Sequence, residues 1–320
     1  MTRQRMNQVL RAFTFLALSL FPMSLLAADL WPGEAWQKSK SLTHLDSDFS
    51  NNLSGSHWNP VTRTLWVCVN SPGKFWALVE DGKGNFKVEG SHAASAKWLS
   101  GRDFEGITQA NYSDPYVYII DESTEQIIQY DVSDLSKVSS VKKWDIGDSM
   151  PSRFRSGPEG IAFVPDEWLQ ARKFVDKQGH RYTSKNGMRG LMFVAHQNGG
   201  KIYVFDLNTS NNDFEYVGSY KTSRDESSGL EFDRSSGLLY IWHNTDGNRI
   251  EVTDLSSIES NGERKFTQIK EYQAPKSGNI EGFAMTPASS DEKWAFLVDD
   301  DNQDGFALMW YQQFEPDYSQ

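Results

Sequence analysis

The chain of 320 residues is poorest in cysteine, with Cys68 alone. One thiol excludes an internal disulfide framework. It lies inside the apolar run Leu65-Trp66-Val67-Cys68-Val69, without a helix start or a basic neighbour to lower its pKa. A buried structural thiol is the reading, not a nucleophile. Basic charge is also scarce: 32 Lys and Arg stand against 43 Asp and Glu. That deficit argues against nucleic acid and anionic membranes as partners and favours cations or neutral ligands. No Gly-x-Ser-x-Gly elbow, phosphate loop or zinc-protease motif occurs, so serine-hydrolase and NTPase chemistry have no support. No sustained helical period is found either.

A long apolar run is present only at the start. Residues 1–28 carry Arg3, Arg5 and Arg11, then an apolar stretch from Ala12 to Leu26 broken by Pro22, then Ala27-Ala28. This predicts a cleaved secretory signal, with no membrane insertion afterwards and a periplasmic or secreted mature chain. The first 28 residues hold no acid, so the mature chain carries 29 basic residues and a net charge near −14.

What is abundant is repetition. Asp103-Phe104-Glu105-Gly106-Ile107, Gly157-Pro158-Glu159-Gly160-Ile161, Asn279-Ile280-Glu281-Gly282-Phe283, Ser227-Ser228-Gly229-Leu230 and the weaker Leu53-Ser54-Gly55-Ser56 share one shape. The glycines at 55, 106, 160, 229 and 282 are 51, 54, 69 and 53 residues apart. Each opens a series of short strands rich in β-branched and aromatic residues, separated by turn sequences such as Asn59-Pro60 and Asn70-Ser71-Pro72-Gly73. A supersecondary unit of about fifty residues, used several times without a helix, predicts an all-β fold, a β-propeller of four-stranded blades. The count is five, with six the alternative if residues 165–189 hide a blade. Those residues are otherwise an insertion in the third repeat, with a short helix over Glu167 to Phe174. The last repeat has three strands. A strand from residues 35 to 46 is expected to supply the fourth and close the ring within a single domain, 29–320. The 19 Phe, 12 Tyr and 11 Trp suit interfaces between packed sheets. The chain is expected to be a monomer.

In such a fold the first strand of each unit lines a central channel. Ser54, Glu105, Glu159, Ser228 and Glu281 would converge there, with the adjacent glycines allowing close backbone approach. Three glutamates brought together without basic partners would repel one another and lose solvation. A divalent cation resolves the conflict, and carboxylate and amide oxygens suit calcium better than zinc. A second set of polar residues ends each second strand: Asn70, Asp121, His196, His243-Asn244 and Asp299. The candidate metal ligands are therefore Glu105, Glu159, Glu281, Asn70, Asp121, Asn244 and Asp299. The other reading of the glutamates is that they cap backbone amides of neighbouring strands. His57, His196 and His243 fall at equivalent ends of their repeats, and His196 and His243 are the candidates for proton transfer. The acidic turn Asp299 to Gly305 fails as an EF-hand, because Trp310 stands where a glutamate is required.

Ser54-Gly55 with Asn59-Pro60-Val61-Thr62-Arg63-Thr64-Leu65 and Val69-Asn70-Ser71-Pro72-Gly73 resembles the opening of the SdiA-regulated propeller family. Phe104-Glu105-Gly106-Ile107 with Ile120-Asp121-Glu122, and Ser228-Gly229-Leu230, resemble later blades. The resemblance spans most of residues 50 to 312 and implies an exported propeller. The broader group includes phytase-like esterases and calcium-dependent lactonases of the regucalcin and paraoxonase type. In those a channel calcium is held by Glu, Asn and Asp, to which Glu105, Asn70 and Asp121 would correspond in type. Basic clusters suited to phytate are sparse, with Arg102, Arg153 and Arg155 the best candidates. Two functions follow as expectations. One is an exported propeller that binds calcium in its channel and a small molecule or protein at its rim. The alternative is a calcium-dependent hydrolase of esters, lactones or phosphoesters.

Overall fold

A computed structural model describes residues 28–89, 102–151, 156–302 and 304–318. The signal expected over 1–28 lies outside the described residues except for Ala28, and Arg153 and Arg155 lie outside them too. No helix among the described residues is long and apolar enough to cross a membrane.

Twenty strands are described. After β1 (Lys40–Ser41), a first antiparallel meander runs through β2 (Leu53–Asn59), β3 (Thr64–Val69), β4 (Lys74–Glu80) and β5 (Phe86–Val88). A second contains β6 (Phe104–Thr108), β7 (Tyr116–Asp121), β8 (Gln126–Asp131) and β9 (Ser139–Asp145). A third is β10 (Pro158–Pro165), β11 (Gly190–His196), β12 (Lys201–Leu207) and β13 (Phe214–Lys221). A fourth is β14 (Leu230–Asp233), β15 (Leu238–His243), β16 (Arg249–Ser260) and β17 (Glu263–Gln273). The third and fourth meanders form one eight-stranded sheet, joined by a single parallel pair, Lys221 with Lys265. The last sheet holds β18 (Ile280–Met285), β19 (Ala295–Asp299), β20 (Leu308–Tyr311) and, beside β20, the N-terminal β1.

The sheets pack face to face, and their strands are buried on both sides. In β7, Val117 and Ile119 join a cluster with Trp66 and Phe75 of the preceding sheet, whereas Tyr118 and Ile120 join one with Phe163 and Val194 of the following sheet. The same division recurs at every boundary. It ends where Trp58 and Val67 of the first sheet pack with Phe296 and Trp310 of the last. This double burial explains why the strand sequences alternate poorly: both faces of each strand need apolar side chains. Cys68 is fully buried in the cluster between the first two sheets, and burial pushes its thiol well above its ordinary value. The pattern is an all-β, propeller-like arrangement.

The expected N-terminal strand is shorter than the window 35–46. Only Lys40 and Ser41 pair, with Trp310 and Met309, between 3₁₀ turns at Trp36–Lys38 and Thr43–Leu45. The insertion contains helix α1 (Asp166–Ala171), one turn earlier than its expected end, and a bridge between Val175 and Arg181. Leu169, Phe174 and Tyr182 anchor it in the core beneath the third and fourth meanders.

Candidate metal centre at the axial mouth

Four of the five repeat motifs lie at a break in strand register; the fifth, Ser228-Gly229, directly precedes β14, which pairs without a break. Phe104 pairs with Asp121 and Gly106 with Ile120, which leaves Glu105 as the extra residue of a β-bulge. Ser54 is the extra residue between Leu53 and Gly55, and Glu281 between Ile280 and Gly282. Glu159 and Gly160 fill the break between Pro158 and Ile161. A bulge re-aims one side chain out of the pleat, which is how strands facing a common axis turn these polar groups toward one another.

The glycines beside the bulges make the approach possible. A Cβ on Gly106 would sit 2.7 Å from the Glu159 carbonyl oxygen, and one on Gly160 would sit 2.3 Å from that of Ser228. Gly229 likewise meets the Glu281 carbonyl, and Gly282 meets that of Ser54. The backbones of β2, β6, β10, β14 and β18 therefore touch in cyclic order. They leave an axial cavity of about 10 Å³, lined partly by Glu105, Glu281 and Ser56. That is room for a single water-sized particle.

Glu105, Glu159 and Glu281 are each more than nine-tenths buried. Ser54 Oγ lies 2.6 Å from Glu105 Oε2 and 2.9 Å from the Glu105 carbonyl oxygen, and its one proton serves one of them. Asn279 Nδ2 donates to Glu281 Oε1 at 3.0 Å and to Asp300 Oδ2 at 3.0 Å, and Asn244 Nδ2 donates to Asn279 Oδ1 at 2.5 Å. Glu281 Oε2 is buried and accepts no hydrogen bond from the described residues. Burial pushes the Glu105 carboxyl up to about 8, aided by the charges of Asp103 and Glu122 against the Ser54 hydrogen bond. Burial, and then the neighbouring Glu105, hold Glu159 and Glu281 well above the ordinary carboxylate range. Among the described residues, no Lys, Arg or His forms an ion pair with any of the three. Toward solvent, carboxylate oxygens of Asp103, Glu105 and Glu122 lie within 4.8 Å of one another.

The donor set is all oxygen, with an orphaned carboxylate oxygen directed among like charges. That chemistry fits a hard divalent cation of the calcium type. It does not fit zinc, which takes nitrogen and sulfur ligands.

The second set of candidates is engaged elsewhere. Asp121 is fully buried and accepts from Arg102 at 2.6 Å, Ser123 Oγ at 2.6 Å and Thr124 Oγ1 at 2.9 Å. Asn70 Oδ1 accepts the Ser71 N–H of its own turn at 2.5 Å. Asp299 faces Lys276 at 3.0 Å and accepts the Asp301 N–H at 3.1 Å, and burial raises its pKa. His196 Nδ1 accepts the Asn198 N–H at 3.1 Å, and burial lowers its pKa. His243, fully buried, sits between the Glu226 carbonyl at 2.7 Å and Glu251 at 3.1 Å. Burial works to raise the Glu251 carboxyl, but His243 and Ser223 outweigh it and hold it below its ordinary value. His57 reaches across the axis instead: its Nδ1 lies 3.1 Å from Glu231 Oε2, on a strand that is not its neighbour.

Asp103, Glu122, Asn279 and Asp300 are site residues that repeat-by-repeat comparison of the glutamates overlooks. Asp103 and Asn279 did leave a signal, since each stands two places before a repeat glutamate. Glu122 and Asp300 lie just past the ends of β7 and β19, where only the fold brings them to the mouth.

No family model matches the chain, and no curated protein sequence matches it. The resemblance to SdiA-regulated propellers therefore rests on its short motifs alone. Solved structures do match. A chain of the nidogen–laminin complex is 13% identical, with a TM-score of 0.42 over 78% of this chain and 73% of its own. A periplasmic gluconolactonase of Pseudomonas aeruginosa is 13% identical, with a TM-score of 0.38 over 82% and 70%. A Bacteroides fragilis protein assigned as a 6-phosphogluconolactonase is 11% identical, with a TM-score of 0.43 over 83% and 85%. The strand pairing by itself shows an all-β, propeller-like chain with an acidic mouth on its axis.

Proposed function

We propose that the chain is a five-bladed β-propeller, closed by its N-terminal strand, that binds a calcium ion at its axial mouth through Glu105, Glu159 and Glu281. Asp103, Glu122 and Asn279 support that set from the rim. One observation carries the reading: three buried glutamates from three separate sheets act on one another's charge with no cation among the described residues paired to them, and Glu105 shares with Asp103 and Glu122 a group of carboxylate oxygens within 4.8 Å. Asn279 holds Glu281 by one oxygen and leaves the other free. Ser54 orients Glu105. We further propose that residues 1–28 direct export, which would place the mouth in a compartment where sites of modest calcium affinity are filled.

The test is thermal denaturation in calcium and in EGTA. Calcium at about 100 times Kd should stabilise the wild type by about 2.7 kcal/mol. Glu105→Gln with Glu159→Gln should remove that shift. An unchanged wild-type melting temperature would sink the proposal. The same protein, offered lactones, aryl esters and phosphate esters with calcium, tests the hydrolase alternative: turnover that EGTA abolishes would establish it.

A further inference from the structure

The opposite end of the axis is built from different chemistry. Just past the ends of β6 and β10 opens a pocket of about 640 Å³, lined by the loop from Ala110 to Asp114, Tyr118, Phe163, Met188, Arg189 and Arg234. Its volume is that of a small-molecule site. β6 runs from the acidic mouth toward this pocket, so the two sites are separated by the length of the inner strands.

Arg234 is the unusual residue here. Its guanidinium lies over the Tyr112 ring, 3.9 Å from the centroid, and 5.4 Å from that of Phe163. It donates to the backbone carbonyls of Gln109 and Ala110, and its buried Nε–H takes no partner among the described residues. No carboxylate among the described residues forms an ion pair with it. A guanidinium has five N–H donors, and two are used here. The buried Glu231, whose charge acts on Arg234, is turned to His57. Asp114 and Glu167 also line the pocket, but both are exposed at its rim, where water screens them. Arg189 is exposed at the same rim, without an ionic partner among the described residues. Among the residues that line the pocket, the deep part thus carries one positive charge beside aromatic side chains, whereas the outer part is near neutral.

We propose that this pocket binds a small monoanion with a flat apolar body, an aryl or heteroaryl carboxylate, with Arg234 as its counter-charge. A carboxylate matches the remaining fork of N–H donors in geometry and in charge. A dianion such as a phosphate monoester would meet Asp114 and Glu167 with only one deep cation in return. Tyr112 and Tyr116, both partly exposed, with the buried Tyr118 and Phe163 beside them, supply the aromatic wall against which a flat body packs.

Calorimetric titration of the full chain in EGTA, so that no divalent cation occupies the other mouth, tests this. The probes are benzoate, phenylacetate and indole-3-acetate, each against its neutral amide, with phenyl phosphate alongside. At least one carboxylate should bind about tenfold more tightly than its amide, and more tightly than phenyl phosphate. Arg234→Lys should weaken that binding about tenfold. Arg189→Gln, a surface change with little bearing on folding, should weaken it severalfold. Failure of all three carboxylates to bind at millimolar concentration overturns the proposal. So does equal affinity for acid and amide, or wild-type affinity in Arg189→Gln and a folded Arg234→Lys alike. Because calcium is absent throughout, failure here leaves the cation site untouched, and failure of the calcium experiment leaves this one standing.

Discussion

At the scale of single residues, the mouth is a case of like charges held together by the backbone. Glu105, Glu159 and Glu281 are aimed inward by their bulges, and the glycine beside each admits the neighbouring strand. With no metal bound, protons are what neutralise them. A folded-state carboxyl raised from 4.5 to about 8 binds its proton more tightly than the unfolded chain does. Its stabilising contribution is complete below the unfolded value and disappears as pH rises through the folded one. In EGTA the melting temperature should therefore fall as pH climbs from about 5 to about 8, by an amount worth a few kcal/mol. Glu105→Gln should flatten that slope. Calcium should abolish it, since the ion takes over from the protons. Scanning fluorimetry across the pH series checks this, and a melting temperature that rises over the window would contradict the burial of these groups. Asp121 shows the opposite arrangement. Arg102, Ser123 and Thr124 saturate its carboxylate, which leaves it little to offer a metal.

At the scale of elements, β1 contributes more than its two residues suggest. Lys40 and Ser41 cover the edge of β20, Leu42 N–H donates to the Leu308 carbonyl at 2.9 Å, and Leu308 N–H donates to Thr43 Oγ1 at 2.9 Å. Leu42 and Leu45 also pack into the cluster that joins the last sheet to the first. Removing the chain through Leu45 would expose an unpaired strand edge beside an apolar interface. We expect a loss of roughly 3 kcal/mol or more from the uncovered leucines alone. The bare edge should also cause concentration-dependent association, visible by size-exclusion chromatography. A truncated chain that stays monomeric and melts like the full one would show that β1 closes nothing. The bulges carry a comparable lesson. One inserted residue in each glutamate-bearing inner strand is a small local irregularity, yet it decides whether the glutamates face the axis or a neighbouring sheet.

At the scale of the whole molecule, no four-stranded meander has a core of its own. Every apolar cluster is shared by two adjacent meanders, including the one that ties the N-terminal units to the C-terminal ones. Opening one boundary strips one face from two meanders at once. Unfolding should therefore be a single cooperative event: tryptophan fluorescence, with reporters such as Trp76, Trp144, Trp242 and Trp310 spread over four sheets, should trace the same denaturant midpoint as far-ultraviolet circular dichroism. Separated midpoints would mean that part of the ring opens alone. The two ends of the axis differ: acids converge at one, whereas at the other His57 pairs with Glu231 and Arg234 lines a pocket.

The repeat was plain in the sequence because period and motif are properties of one chain read in order. The glycines at 55, 106, 160, 229 and 282, the glutamates before three of them, and the short buried strands between turns all follow from local spacing. Partnership across space has no such signature. Only the tertiary structure decided that Asp121 is spent on Arg102, that His243 is locked between Glu226 and Glu251, and that His57 crosses to Glu231. It also decided that Asn279 secures Glu281, that Glu122 and Asp300 reach the mouth, and that two residues of the N-terminal segment suffice as a strand. A polar residue at a repeat end reads the same whether it faces the axis or a neighbour. What it does depends on the charge and donors that other strands bring within about 3 Å of it.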